Sequence, residues 1–148
     1  MKTIFKTLSI VALFFLVTKN TSAQNTPVDL GDRVITMLET ESAPAYGVDA
    51  TAKEGNVMLA IHVTAKNSGT EKLSISNLDW QLKDAKGKTY YCKSKHEKAP
   101  QMKYSSMEAG ATADGWLVFE VPAAYKTLGL TLTHSKVIIT KHDIGVIK

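Results

Sequence analysis

From Asn56 to Lys66 the chain alternates strictly. Val57, Leu59, Ile61, Val63 and Ala65 fall on one side, and Met58, Ala60, His62, Thr64 and Lys66 on the other. A period of two is the repeat of a β-strand, whose successive side chains point to opposite faces. The run therefore predicts a half-buried strand, and a strand of that length must find neighbours to pair with. Asn67-Ser68-Gly69-Thr70 follows as a turn. Leu73 and Ile75 resume the alternation, but the next apolar set is Leu78, Trp80 and Leu82, one residue out of phase. A one-residue slip exchanges the faces of a strand, so a bulge or a break is expected near Ser76-Asn77.

The rest of the chain repeats the pattern in short pieces. Asp84-Ala85-Lys86-Gly87 reads as a turn and Thr89-Tyr90-Tyr91-Cys92 as a short strand; Lys93 to Ala113 reads as irregular. Gly115 to Val121 is an apolar strand stopped by Pro122, and Leu128, Leu130 and Leu132 alternate before Val137-Ile138-Ile139. Arg33 to Leu38 and Tyr46 to Ala52 are weaker strand candidates on either side of Pro44. No stretch keeps helical periodicity. Seven or eight short strands with turns between them predict an all-β chain, an antiparallel sandwich or barrel. Trp80, in phase with Leu82, is expected in the middle of the core, where its indole N–H needs an acceptor. Trp116 has two readings: an aromatic covered by a loop at the end of the sandwich, or an exposed aromatic anchor for a partner.

The first residues read as a targeting segment. Lys2 and Lys6 precede the uncharged run Leu8 to Val17, and Thr21-Ser22-Ala23 supplies the small residues of a cleavage site. This layout predicts a secretory signal peptide over residues 1–23, cut between Ala23 and Gln24, and a folded domain over residues 24–148. The run is shorter than the roughly 20 residues a membrane-spanning helix needs, and no second apolar span follows. Extracellular or periplasmic export is the expected localisation. Removing Lys2, Lys6 and Lys19 lowers the formal net charge from +4 to +1. The charge that remains is polarised. Asp29, Asp32, Glu39, Glu41, Asp49 and Glu54 face only Arg33 and Lys53 between residues 24 and 56. Lys83, Lys86, Lys88, Lys93, Lys95, Lys98 and Lys103 face only Asp84 and Glu97 between residues 83 and 103.

KNSGTEKLSISNLDWQLKDAKGKTY (Lys66 to Tyr90) followed by GWLVFEVP (Gly115 to Pro122) resembles an exported immunoglobulin-like family. That family is catalogued as domain of unknown function 4352 and is similar to the mycobacterial immunoprotective extracellular antigens. The residues that carry the resemblance are Asn67, Gly69, Leu73, Ile75, Asp79, Trp80, Asp84, Gly87, Tyr90 and Gly115 to Pro122, most of them turn or core positions. The resemblance implies an antiparallel immunoglobulin-like β-sandwich, export and no known enzymatic activity. With one cysteine, the inter-sheet disulfide of antibody domains is missing, so packing must hold the sheets together.

Motifs for catalysis are missing. There is no G-x-S-x-G, H-E-x-x-H or P-loop, and no spacing pairs a serine, a histidine and an aspartate. No enzyme and no cofactor are expected. A metal alternative rests on Cys92, His96, Met102 and Met107, whose soft sulfurs and imidazole suit copper(I). Cys92 itself reads as a buried small hydrophobe, an intermolecular disulfide or a reactive thiol. The lysines Lys86, Lys88, Lys93, Lys95, Lys98 and Lys103 read either as a solvated edge or as a contact for an anionic envelope surface. Nucleic acid is not expected, because Arg33 is the only arginine and export removes the chain from the genome. A non-catalytic binding module is the first expectation, meeting an unknown exported protein or an anionic surface. An inhibitor or chaperone-like partner of another exported protein, anchored by Trp116, is an alternative.

Overall fold

The computed structural model describes residues 18–20, 26–139 and 144. The apolar leader run and the cleavage position lie outside them. Strands β1 (Thr18–Asn20), β2 (Val28–Asp29), β3 (Arg33–Ala43) and β4 (Asn56–Asn67) come first in the chain. They are followed by β5 (Leu73–Ile75), β6 (Trp80–Lys83), β7 (Thr89–Tyr91), β8 (Ser105–Met107) and β9 (Thr112–Pro122). β10 (Thr131–His134) and β11 (Val137–Ile138) complete the order. The larger sheet runs β1-β3-β4-β9, with β2 also on β3; a second runs β11-β10-β6-β7, and β5 pairs with β8. Every strand pair is antiparallel. The result is the expected β-sandwich. Its strand segments outnumber the expected seven or eight because several are only two or three residues long.

The core lies between the sheets. Ile35, Met37, Leu59, Ile61, Val63, Leu117, Phe119 and Val121 come from the larger sheet, and Trp80, Leu82, Leu130 and Leu132 from the other side, all buried. β3 shifts register between Met37 and Glu39 against β4. That shift turns Thr40 and Ser42 inward, where the Tyr125 hydroxyl lies 3.3 Å from Ser42 Oγ, and Glu39 and Glu41 outward beside His62 and Ala60.

Three expectations need correction. Tyr46 to Ala52 is not a strand: Val48–Ala50 is a 3-10 turn, closed by Tyr46 N–H donating to Ala50 O at 2.8 Å. Leu78 does not share the face of Trp80 and Leu82. The break at Ser76-Asn77 is a 3-10 turn over Asn77–Asp79, and it leaves Leu78 exposed. Ser76 Oγ accepts from Leu78 N and Asp79 Oδ2 accepts from Ser76 N, so local side-chain bonds replace strand pairing there. Trp80 is buried as expected, but its Nε1 has no partner among the described residues; its ring meets His134 edge-on, centroids 4.5 Å apart.

A loop-covered outer face as candidate functional site

The solvent side of the larger sheet carries a second apolar cluster. Met58 and Ala60 on β4 and Trp116 and Val118 on β9 are buried there with Ala50. The strand expected to be half-buried is thus covered on both faces at this end. Two loops provide the cover. Residues 44–55 fold back through Ala52 N–H to Pro44 O at 2.9 Å, and Ala50 packs onto the cluster. The segment after β7 runs along β9, with Lys93 N–H donating to Val118 O at 2.7 Å. It returns through Trp116 N–H to Pro100 O (2.8 Å) and Met102 N–H to Trp116 O (3.1 Å). Gly115 permits this return: a Cβ there would stand 2.7 Å from Met102 Cα and 2.8 Å from Gln101 C. The two loops are tied together by Glu97 N–H donating to Tyr46 O at 2.8 Å.

A charged and aromatic row crosses the same face. Glu39, His62 and Trp116 are register partners on β3, β4 and β9. His62 lies flat on the indole of Trp116 (4.7 Å, 11°), with Nε2 2.8 Å from Asp114 and Nδ1 3.5 Å from Glu39. Lys98 reaches over from the second loop, its ammonium 4.1 Å from the Trp116 ring centroid and 2.5 Å from a Glu41 carboxylate oxygen. Glu41 is 3% exposed, so this pair is the kind whose breaking leaves a costly buried charge. Burial and the neighbouring Glu41 carboxylate push the Tyr46 phenol up. Its hydroxyl makes no hydrogen bond within normal geometry among the described residues.

Two recesses open between the loops. One, of about 620 Å³, is lined by Glu41, Ala43, Tyr46, Gly47, Glu97 and Lys98 among others. The other, of about 240 Å³, is lined by Val48, Asp49, Lys95, His96, Glu97 and Gln101 together with Gly47. Gly47 and Glu97 belong to both. Gly47 sits at φ 98°, a conformation that favours glycine, and a Cβ there would lie 2.6 Å from the Glu97 side chain, which would have to move. Val48 stands on the rim, 90% exposed. Burial holds the His96 imidazole below its ordinary value, and its buried Nδ1 has no partner among the described residues.

The sequence-derived candidates separate on this frame. Lys98 belongs to the row and Lys95 to the smaller recess. Lys93 is paired with Glu120 at 3.0 Å. Lys86 and Lys88 lie in the β6–β7 turn, at the other end of β7 from this loop, and Lys103 is exposed beyond Met102. The seven lysines close in sequence therefore do not form one patch. Trp116 is 5% exposed: it is the loop-covered aromatic and a platform for Lys98, not an exposed anchor. Of the copper candidates, Met102 and Met107 are buried in the core, while His96 lines the surface recess. Cys92 is half-buried, its thiol pushed up to about 12 by burial, as for a packed hydrophobe rather than a reactive thiolate. Among the described residues no three His, Cys, Asp or Glu side chains gather as metal ligands. No sequence signal marks Glu41, Tyr46, Gly47, Val48 or Glu97 as site residues; the two glutamates stand out only as charges.

Fold and site together define an antiparallel β-sandwich with one outer face roofed by loops. The chain belongs to the family described as Domain of unknown function (DUF4352), whose model matches residues 22–144. No curated protein matches it. Among solved structures it is similar to a conserved hypothetical protein of Bacillus anthracis (14% identity, TM-score 0.66, 86% of this chain and 96% of that one). It is also similar to the YjhA protein of Bacillus subtilis (19%, 0.58, 73% and 76%). A third is the presumed lipoprotein YcdA of Bacillus subtilis (16%, 0.60, 74% of this chain and 32% of that one). At these identities the likeness is one of fold. None of the three is a mycobacterial antigen, and that resemblance stays a reading of the motifs.

Proposed function

We propose that this chain is an exported, non-catalytic binding module that meets another exported protein through the loop-covered face of its larger sheet. The observation that carries the reading is the pair of recesses meeting at Gly47 and Glu97. An exposed apolar tip, Val48, stands beside Tyr46 Oη and His96 Nδ1, buried polar atoms with no hydrogen bond of normal geometry among the described residues. Apolar anchors ringed by polar groups are how protein interfaces concentrate their affinity. Export is supported by the leader layout and by the likeness to a presumed lipoprotein. No helix among the described residues is long and apolar enough to cross a membrane. Absence of catalysis is proposed because none of the paired acid, base or nucleophile arrangements is visible in the row; His62 has carboxylates on both ring nitrogens and no nucleophile beside it.

Co-purification from the native envelope tests this, with the parent chain and Val48→Asp side by side. The parent is expected to retain a defined partner, and Val48→Asp to lose it by about tenfold or more, since a rim anchor of this kind is worth more than 1 kcal/mol. A partner held equally by both contradicts the assigned face. No partner from either the envelope or the medium contradicts the binding reading.

A further inference from the structure

The larger recess carries more negative charge than its own cation answers. Glu41 and Glu97 both line it, with Lys98 beside them. Lys98 is committed to Glu41 at 2.5 Å, and its ammonium stands 4.1 Å from the Trp116 ring centroid and 5.8 Å from that of Tyr46. Glu97 is left over. Among the described residues its carboxylate takes part in no ion pair and no hydrogen bond. It is nonetheless held in place. Its backbone N–H donates to Tyr46 O at 2.8 Å, and its side chain packs closely over Gly47. The imbalance extends across the face. In the row and the two recesses, the described carboxylates are Glu39, Glu41, Asp49, Glu97 and Asp114, five in all, against the two ammonium groups of Lys95 and Lys98. Lys93 does not correct it, being paired with Glu120 at 3.0 Å.

We propose that the larger recess seats a basic side chain of the exported partner, a lysine or an arginine, whose cationic head pairs with Glu97 and whose stem lies along the Tyr46 ring. The proposal rests on the binding reading above and names the partner's chemistry. Lys98 shows within the chain which surroundings a cation takes here: a carboxylate with aromatic rings beside it. Long basic side chains bury an apolar stem while the charged head keeps polar company, and a recess of about 620 Å³ with an aromatic wall and a carboxylate at its mouth suits both parts. Lys98 stays where it is. Its departure would leave Glu41, 3% exposed, as an unpaired buried charge. The incoming cation is therefore a second one, and the two carboxylates of the recess answer both. The excess of negative charge on the surrounding face selects a basic partner surface and favours its approach.

The test uses isotope-labelled protein recovered after export, titrated with the N-acetyl methylamides of lysine, arginine and norleucine while amide resonances are followed by NMR. A basic probe is expected to shift the Gly47 and Glu97 amides and the Trp116 indole in the millimolar range. Norleucine, which has the stem without the charge, is expected to leave them unmoved. Glu97 is exposed and its docking bond is made by the backbone, so Glu97→Gln keeps the loop in place. It is expected to weaken the basic probe by about threefold, the size of one partly exposed ion pair. Glu71→Gln, which removes the same charge in the exposed turn after β4, is expected to change nothing. Basic probes that shift these residues no more than norleucine does, or equal weakening by Glu97→Gln and Glu71→Gln, overturn the seat. Co-purification with Glu97→Lys separates this inference from the reading beneath it. Loss of the partner by about tenfold or more, as with Val48→Asp, supports both. A partner released by Val48→Asp but still held by Glu97→Lys overturns the basic side chain and leaves the binding face standing. A seat that takes the basic probes in a protein that retains no partner overturns the binding reading alone.

Discussion

Asn67 shows what a single turn residue does here. It is fully buried, its Nδ2 donates to Glu71 O at 2.8 Å and to Met107 O at 3.1 Å, and its Oδ1 accepts from Gly69 N at 3.0 Å. One side chain thus closes the turn after β4 and fastens β8 to it. Asp84 has the same character in the β6–β7 turn, accepting from the amides of Lys86 and Lys88 at 2.9 Å and from the Tyr90 hydroxyl at 3.3 Å. Asn67, Asp79 and Asp84 are among the residues that carry the family resemblance, and each of them closes a turn. Replacing Asn67 by Ala removes the side-chain donor of the Glu71 and Met107 carbonyls, while the Gly69 amide keeps Asp32 O at 3.1 Å. A loss of roughly 2–4 kcal/mol is expected from urea unfolding; a change below about 0.5 kcal/mol contradicts the hub.

At the scale of elements, the strands were legible and the loops were not. Alternation is a local signal, so Asn56 to Lys66 and Gly115 to Val121 could be placed from sequence. The register shift in β3 has no such signal, and neither has the way residues 93–104 return across β9. Glu39, His62 and Trp116 meet only through strand register, and Tyr46 meets Glu97 only through loop docking, so most of the candidate site was hidden. Lys98 was found for its charge, while its partner Glu41 was counted in a separate acidic segment.

The docking itself can be tested. Gly115→Ala places a methyl against the backbone of Gln101 and Met102, which cannot yield as a flexible side chain would. The loop is expected to lift, seen as faster hydrogen exchange at the Trp116 and Met102 amides and brighter access of quenchers to Trp116. Unchanged exchange would show that the loop is held otherwise. Glu120 adds a pH lever. Its side chain accepts from Asn56 Nδ2, from the Lys53 amide and from Lys93 Nζ, each at 3.0 Å, and these partners, in that order, hold its carboxyl down at about 2. Because the folded value lies below the ordinary 4.5, the stabilisation is complete above that value and declines as pH falls from about 4.5 towards about 2. Glu120→Gln is expected to be less stable at pH 7 and to lose less on acidification than the parent. Parallel stability–pH curves for the two would remove Glu120 from this role.

For the whole molecule, composition and patterning were enough for the fold class and the absence of an inter-sheet disulfide, and the sandwich holds through a single apolar core from both sheets. Charge polarity along the sequence did not survive as a surface. β7 separates the lysines of the turn from those of the loop, and Glu41 and Glu120 engage Lys98 and Lys93. A neighbourhood in sequence is not one in space when a strand intervenes. What the folded molecule offers instead is a roofed face of mixed charge with an apolar tip. Hydrogen exchange on residues 24–148, alone and saturated with a co-purified partner, tests the proposed binding face most directly. Slowed exchange concentrated in residues 44–52 and 93–104 is the expected result. Protection confined to the opposite side of the sandwich, on β6 and β10, with these two loops unchanged, would contradict it.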